Sequence, residues 1–144
     1  MDPVADARTI LVIEDQEQNL YLMKYLLEAN GYEAILAREG HEGVAKARSC
    51  SPDLILLDIQ LPTISGYDVA REIRRDGRLG KTPIIAVTSF AMPGDREDAL
   101  AAGCSGYVEK PIDPECFIGQ MEAYLQDKAD DENGTSEASQ GGAE

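Results

Sequence analysis

A chain of 144 residues with 43% apolar side chains can build one ordinary core and little more, and its formal charge of −14 would repel a nucleic-acid backbone. Three cysteines (Cys50, Cys104, Cys116) without CxxC spacing argue against a disulfide framework or a cysteine zinc site and fit a reducing, cytoplasmic setting. His41 is the only histidine, which leaves no basis for a His-rich metal centre or a Ser-His-Asp triad, and no apolar run exceeds four residues, so no membrane span is expected.

The N-terminus, MDPVADARTI, is acidic and lacks the apolar stretch of a secretory signal, so residues 1–8 read as a short extension. Residues 10–13 (ILVI) form the first predicted strand and run directly into Glu14 and Asp15. Leu20, Met23 and Leu27 then recur at helical spacing and predict a first helix that stops at Asn30-Gly31. A second strand over 34–37 and a second helix over about 40–49, carrying Val44 and Ala47, come next. The run LILL (54–57) is the third strand and leads into Asp58; a helix opening near Gly66 carries Val69 and Ile73. IIAV (84–87) is the fourth strand and leads into Thr88; its helix begins in PGDRED (93–98) and ends at Gly103. The fifth strand, 106–108, runs into Lys110-Pro111. The last helix is expected to open at DPE (113–115), where Asp113 can cap and Pro114 suits the first helical position, with Phe117, Met121 and Tyr124 as its apolar stripe. Residues 129–144 hold five acids, no base and almost no apolar side chain, and read as a disordered acidic tail beyond a domain spanning 9–128.

Five β-α repeats predict an α/β domain, a doubly wound five-stranded parallel sheet with five helices on its two faces. LILL and IIAV show no polar alternation, as expected of strands covered on both sides. In such sheets ligands bind beyond the carboxyl ends of the strands, where strand order reverses. That rule brings Glu14, Asp15, Asp58, Thr88 and Lys110 to one edge.

Three acids meeting there need compensation. Unit charges ~5 Å apart repel by roughly 3 kcal/mol at an effective dielectric near 20, so three pairs cost about 10 kcal/mol, as much as a whole domain's stability. Raised pKa values or Lys110 could relieve this, but a divalent cation does so most directly, and hard oxygen ligands favour Mg²⁺. Hydrated Mg²⁺ commonly serves phosphate oxygens, for which Thr88 and Lys110 offer further donors. A carboxylate beside the metal can itself attack phosphorus and become an aspartyl phosphate; Asp58, at the central strand end, is the best placed.

The segments VIED (12–15), LLDIQLPTISGYDV (56–69), AVTSFA (86–91) and GYVEKPI (106–112) resemble the receiver domains of two-component response regulators. The resemblance covers about residues 8–127, and the spacings of 30 residues from Asp58 to Thr88 and 52 from Asp58 to Lys110 are those of the family. The details DIQLP…SG and TSFAMPGD most resemble DivK-like single-domain regulators. This resemblance implies the flavodoxin-like strand order 2-1-3-4-5. It also implies that Asp58 is the phosphoacceptor, that Asp15, Asp58 and the backbone carbonyl of Gln60 bind Mg²⁺ directly, and that Glu14 acts through water. By the same resemblance Thr88 and Lys110 hold the phosphoryl oxygens, Tyr107 is the aromatic switch partner of Thr88, and the Lys110–Pro111 bond is cis. Glu14 stands where many members have Asp, and Gln60 and Phe90 occupy positions that vary in the family.

The implied activity is that of a stand-alone phosphorelay regulator rather than a turnover enzyme. Asp58 takes a phosphoryl group from a phosphohistidine on a sensor kinase or phosphotransfer protein, and the output is a contact with a downstream protein. Some sixteen residues after the last helix leave no room for an effector domain, and the expected state is a monomer or a weak phosphorylation-dependent homodimer. The first helix offers a docking face for a kinase's helical bundle. Three other readings compete. A haloacid-type phosphatase needs a second Asp where Gln60 stands, and an FMN protein needs a phosphate loop where EDQEQN (14–19) is acidic. The third is a receiver-like protein-binding module that does not take phosphate.

Overall fold

A computed structural model of the chain describes residues 7–89 and 93–125. The elements follow one another as β1 (Thr9–Ile13), α1 (Glu17–Ala29), β2 (Glu33–Ala37), α2 (Gly40–Cys50), β3 (Leu54–Asp58), α3 (Gly66–Arg74), β4 (Ile84–Thr88), α4 (Asp95–Ala102), β5 (Gly106–Glu109) and α5 (Phe117–Glu122). All strand pairs are parallel and the sheet order is β2-β1-β3-β4-β5, the doubly wound α/β architecture expected from the repeats. The chain steps outward from β1 to β2, then crosses back to β3 on the other side, so the order reverses between β1 and β3.

Alternation along the strands divides the core into two layers. Ile10 and Val12 of β1, with Leu54 and Leu56 of β3, pack against Leu20, Met23 and Leu27 of α1 and Phe117 and Met121 of α5. Leu11, Ile13, Ile55 and Leu57 face the other way, onto Val44 and Ala47 of α2, Val69 and Ile73 of α3, and Ala99 and Ala102 of α4. β3 and β4 are buried along their whole length, which explains their unbroken apolar runs. β2, at the edge, is largely half-exposed.

Helix ends follow local chemistry. Ser65 Oγ accepts from the Asp68 amide at 3.3 Å to open α3, and Glu39 Oε1 accepts from the His41 amide at 3.3 Å to open α2. α4 closes at Gly103, whose φ of 110° is a left-handed value that favours glycine. No helix among the described residues is long and apolar enough to cross a membrane.

The structure adjusts several expected boundaries. β2 begins one residue early, because Glu33 pairs with Thr9. β3 and β4 extend through Asp58 and Thr88, so both polar residues are held by the sheet ladder itself. α5 begins at Phe117 rather than at the DPE segment. Asp113 still caps: its Oδ1 accepts from the Glu115 amide (3.0 Å) and its carbonyl from the Cys116 and Phe117 amides (3.0 and 2.9 Å), but this closes a turn ahead of the helix. A 3-10 turn at Gly77–Leu79, absent from the expected elements, is fixed by Asp76 Oδ1 accepting from the Arg78 amide and by burial of Leu79. Residues 1–6, Phe90 and the whole predicted acidic tail lie outside the described residues.

Candidate functional site

The register of the sheet assembles the site. Ile13 of β1 lies beside Leu57 of β3, so the next residues, Glu14 and Asp58, leave adjacent strands together. Asp58 is level with Val87, Thr88 is level with Glu109, and the Lys110 amide donates to the Thr88 carbonyl at 2.8 Å. Glu14, Asp15, Asp58, Thr88 and Lys110 thus stand along one edge, at the point where strand order reverses.

Two of the three acids are oriented by a backbone group. The Gln60 N–H donates to Asp58 Oδ1 (2.9 Å) and the Gln16 N–H to Glu14 Oε2 (3.1 Å), two short loops that aim the carboxylates inward. Lys110 Nζ lies 3.0 Å from Glu14 Oε1 and 3.5 Å from Asp58 Oδ2. Glu14 is wholly buried, Asp58 and Thr88 nearly so, and the Lys110 side chain is 9% exposed. Charge crowding in such a place is reflected in the acids. Burial, and next the Asp58 charge, push Glu14 up to about 7 against the pull of Lys110 and the Gln16 amide; burial also raises Asp15.

One lysine cannot neutralise three acids. Oxygen atoms of Glu14, Asp15 and Asp58 come within 4.8 Å of one another, and Asp15 Oδ1 is buried without a hydrogen-bond partner among the described residues. An all-oxygen donor set with an orphaned carboxylate oxygen fits a hard divalent cation and offers nothing to a soft one. A cation would relieve the crowding of the three acids.

The remaining sequence-predicted positions fall around this edge. Gln60 is exposed beside Asp58, and the Lys110–Pro111 peptide is cis. Tyr107 pairs with Ala86 at half burial and packs on the layer beneath α2, α3 and α4. Its phenol is raised by burial and by Asp95 of α4, which places it near the start of that helix. Tyr107 also lines a surface groove of about 530 Å³ with Arg96, Glu109, Lys110, Pro111 and Gln120. Gln16 was not foreseen, because it acts through its backbone N–H and no side-chain pattern signals that. The role of Gly66 is likewise spatial: a Cβ there would meet the Asp58 carbonyl oxygen at 2.5 Å.

Likenesses to known proteins agree with this geometry. Residues 10–122 match the response regulator receiver domain family. The polar-differentiation response regulator DivK of Brucella anthropi is 45% identical over 120 residues, covering 83% of this chain and 98% of that one, and DivK of Brucella ovis matches to the same extent. The chemotaxis protein CheY4 of Vibrio cholerae superposes with a TM-score of 0.80 at 26% identity, over 83% of this chain and 99% of its own. The receiver domain of a sensor histidine kinase from Pseudomonas aeruginosa, solved with a magnesium ion coordinated in its active-site cleft, superposes with a TM-score of 0.76 at 34% identity, over 82% and 97%. The chain belongs to the receiver domain family of response regulators in two-component signalling.

Proposed function

We propose that this receiver domain accepts a phosphoryl group from a phosphohistidine on a sensor kinase or phosphotransfer protein onto Asp58, and passes the signal on through protein contacts in the cytoplasm. The observation that carries the reading is the cluster of buried Glu14 and Asp58 with half-buried Asp15, and Lys110 set between Glu14 and Asp58. The site assists its own phosphorylation and hydrolysis and turns over no outside substrate.

In this reading an Asp58 carboxylate oxygen attacks phosphorus in line with the leaving imidazole nitrogen. The O–P bond forms, the P–N bond breaks, and its electron pair stays on the imidazole, which takes up a proton. Gln60 and Gln16, through their amides, keep the two acids from turning away as the donor enters. Lys110 leaves Glu14 for a phosphoryl oxygen, a shift small enough for one side chain already 3.5 Å from Asp58. Magnesium, held by Asp15, Asp58 and the Gln60 carbonyl with Glu14 through water, would supply positive charge against the phosphoryl oxygens. Thr88 donates its hydroxyl to the same group, and Tyr107 turns into the space so vacated. That repacks α4, β5 and α5, and favours either a target protein or a weak homodimer.

Incubation with acetyl phosphate and Mg²⁺ tests the proposal by intact mass. One added phosphoryl group per chain is expected, lost in Asp58→Asn and when the metal is chelated. A folded wild-type chain that gains no mass from either this donor or a competent kinase would indicate a binding module that does not take phosphate.

A further inference from the structure

The loop from β1 to α1 carries two of the site's acids, Glu14 and Asp15, and the Gln16 amide that donates to Glu14. That amide steadies Glu14, whereas Asp15 Oδ1 is buried with no hydrogen-bond partner among the described residues. Gln16 stands at the N-cap of α1 without a side-chain cap, so the loop enters the helix with no local lock. Asp15 is therefore placed by the backbone on either side of it, and that backbone is held from the end of β2. The Glu14 amide donates to the Ala37 carbonyl at 3.0 Å, and the residue after Ala37 is Arg38.

Arg38 holds the other end of the loop. Its Nη1 lies 3.3 Å from Oε2 of Glu17, the first residue of α1, and its Nη2 donates to the Tyr21 hydroxyl, one turn on, at 2.7 Å. Its guanidinium carbon stands 5.6 Å from the centre of the Tyr21 ring. The Arg38 amide donates to Glu42 Oε1 at 2.8 Å, and Glu42 is paired with Lys46, so the arginine's own backbone is tied to α2. An exposed ion pair alone contributes little, and the Glu17 side chain is 70% exposed. Arg38 does more than pair with it: one planar fork engages a carboxylate, a hydroxyl and an aromatic ring on successive turns of one helix. Ala37 on Glu14, and Arg38 on Glu17 and Tyr21, thus grip both ends of a loop with only Asp15 and Gln16 between them.

We infer that Arg38 is a positioning residue for Asp15. By fixing the first turn of α1, it sets where the Asp15 carboxylate meets those of Glu14 and Asp58, and so how tightly this edge holds a divalent cation. The inference rests on the cation site proposed above, and Arg38 acts on it through the backbone rather than by contact.

The sign of the effect separates positioning from simple electrostatics. Removing a positive charge beside an acidic cluster would by itself tighten Mg²⁺ binding, whereas loosening Asp15 weakens it. Mg²⁺ titrations followed by the amide signals of Asp15, Gln16 and Gln60 measure this without any phosphoryl donor. Arg38→Ala is expected to weaken Mg²⁺ binding by about 3–10-fold, short of the roughly 10–100-fold typical of groups that support metal ligands, because solvent screens the fork. Tyr21→Phe, which alters no charge and keeps the ring, should act in the same direction. The two substitutions together should weaken binding no further than Arg38→Ala alone, since both break one contact. Lys24→Ala removes a charge from the same helix by breaking the exposed pair with Glu28, and should not weaken Mg²⁺ binding. In the metal-free chain, Arg38→Ala should move the amide signals of residues 14–17. Unchanged or tighter Mg²⁺ binding in Arg38→Ala, or an equal weakening in Lys24→Ala, would overturn the inference. A wild-type chain whose Asp15 and Gln60 signals ignore Mg²⁺ would instead overturn the function proposed above. The metal-free signals of residues 14–17 then decide alone whether Arg38 holds the loop.

Discussion

At Glu14, burial and charge pull against each other. The side chain is wholly buried, its Oε1 lies closer to Lys110 than Asp58 does, and its acidity is displaced up to about 7. Glu14→Gln removes one of three crowded charges while Lys110 keeps Asp58. The metal-free protein should therefore gain roughly 1–2 kcal/mol in urea unfolding, while Mg²⁺ stabilises the variant less than the wild type. Equal stabilisation by Mg²⁺ in both would remove Glu14 from the cation site. Cys104 gives a separate test of burial. Its thiol is pushed from 9.0 up to about 11 by desolvation, with Arg74 opposing. The folded state then holds the proton more tightly than the unfolded state, so its contribution is intact below pH 9 and is lost as pH rises through 11. Unfolding midpoints at pH 8 and pH 11 should differ by roughly 2 kcal/mol more in the wild type than in Cys104→Ala. An identical loss in both would show that other groups govern the alkaline limb.

The loop from β3 to α3 decides how well Asp58 is held. A Cβ on Gly66 would stand 2.5 Å from both the Asp58 carbonyl oxygen and the Ile59 Cα, which are backbone atoms with nowhere to go. Gly66→Ala should cost about 1–3 kcal/mol and slow phosphorylation, by moving the turn that carries Gln60. Gly119 in α5 is the matched control: a Cβ there meets nothing within 4 Å, and Gly119→Ala should stabilise by about 0.5–1 kcal/mol. Denaturant melts of the two variants would settle both signs. Strands and helices were legible at this scale because apolar spacing records which face is buried, as in Leu20, Met23 and Leu27. Exact ends were less so. Asp113 and Pro114 carry a genuine cap signal, yet the cap closes a turn before α5, and nothing in GRL (77–79) announces a 3-10 turn set by Asp76. The Tyr32 hydroxyl that donates to Glu122, tying the entry of β2 to α5, joins residues 90 apart and has no local signature.

For the molecule as a whole, topology did most of the work. A parallel sheet has one edge where strands end, so polar residues terminating short apolar runs are carried to it wherever they lie in the chain, and Glu14, Asp15, Asp58, Thr88 and Lys110 stand there. What the sequence could not show is pairwise geometry: that Lys110 leans toward Glu14, or that Asp15 Oδ1 has no donor among the described residues. Those details depend on a fraction of an ångström in loops whose backbone amides do the holding. The proposed phosphotransfer depends on that edge gathering a cation and receiving phosphorus on its central acid. Reducing the phosphorylated chain with borohydride and sequencing its peptides by mass spectrometry tests this most directly, since an aspartyl phosphate becomes homoserine. Homoserine is expected at position 58 alone, and only when Mg²⁺ accompanied the donor. Homoserine at any other position, or at 58 regardless of metal, would contradict it.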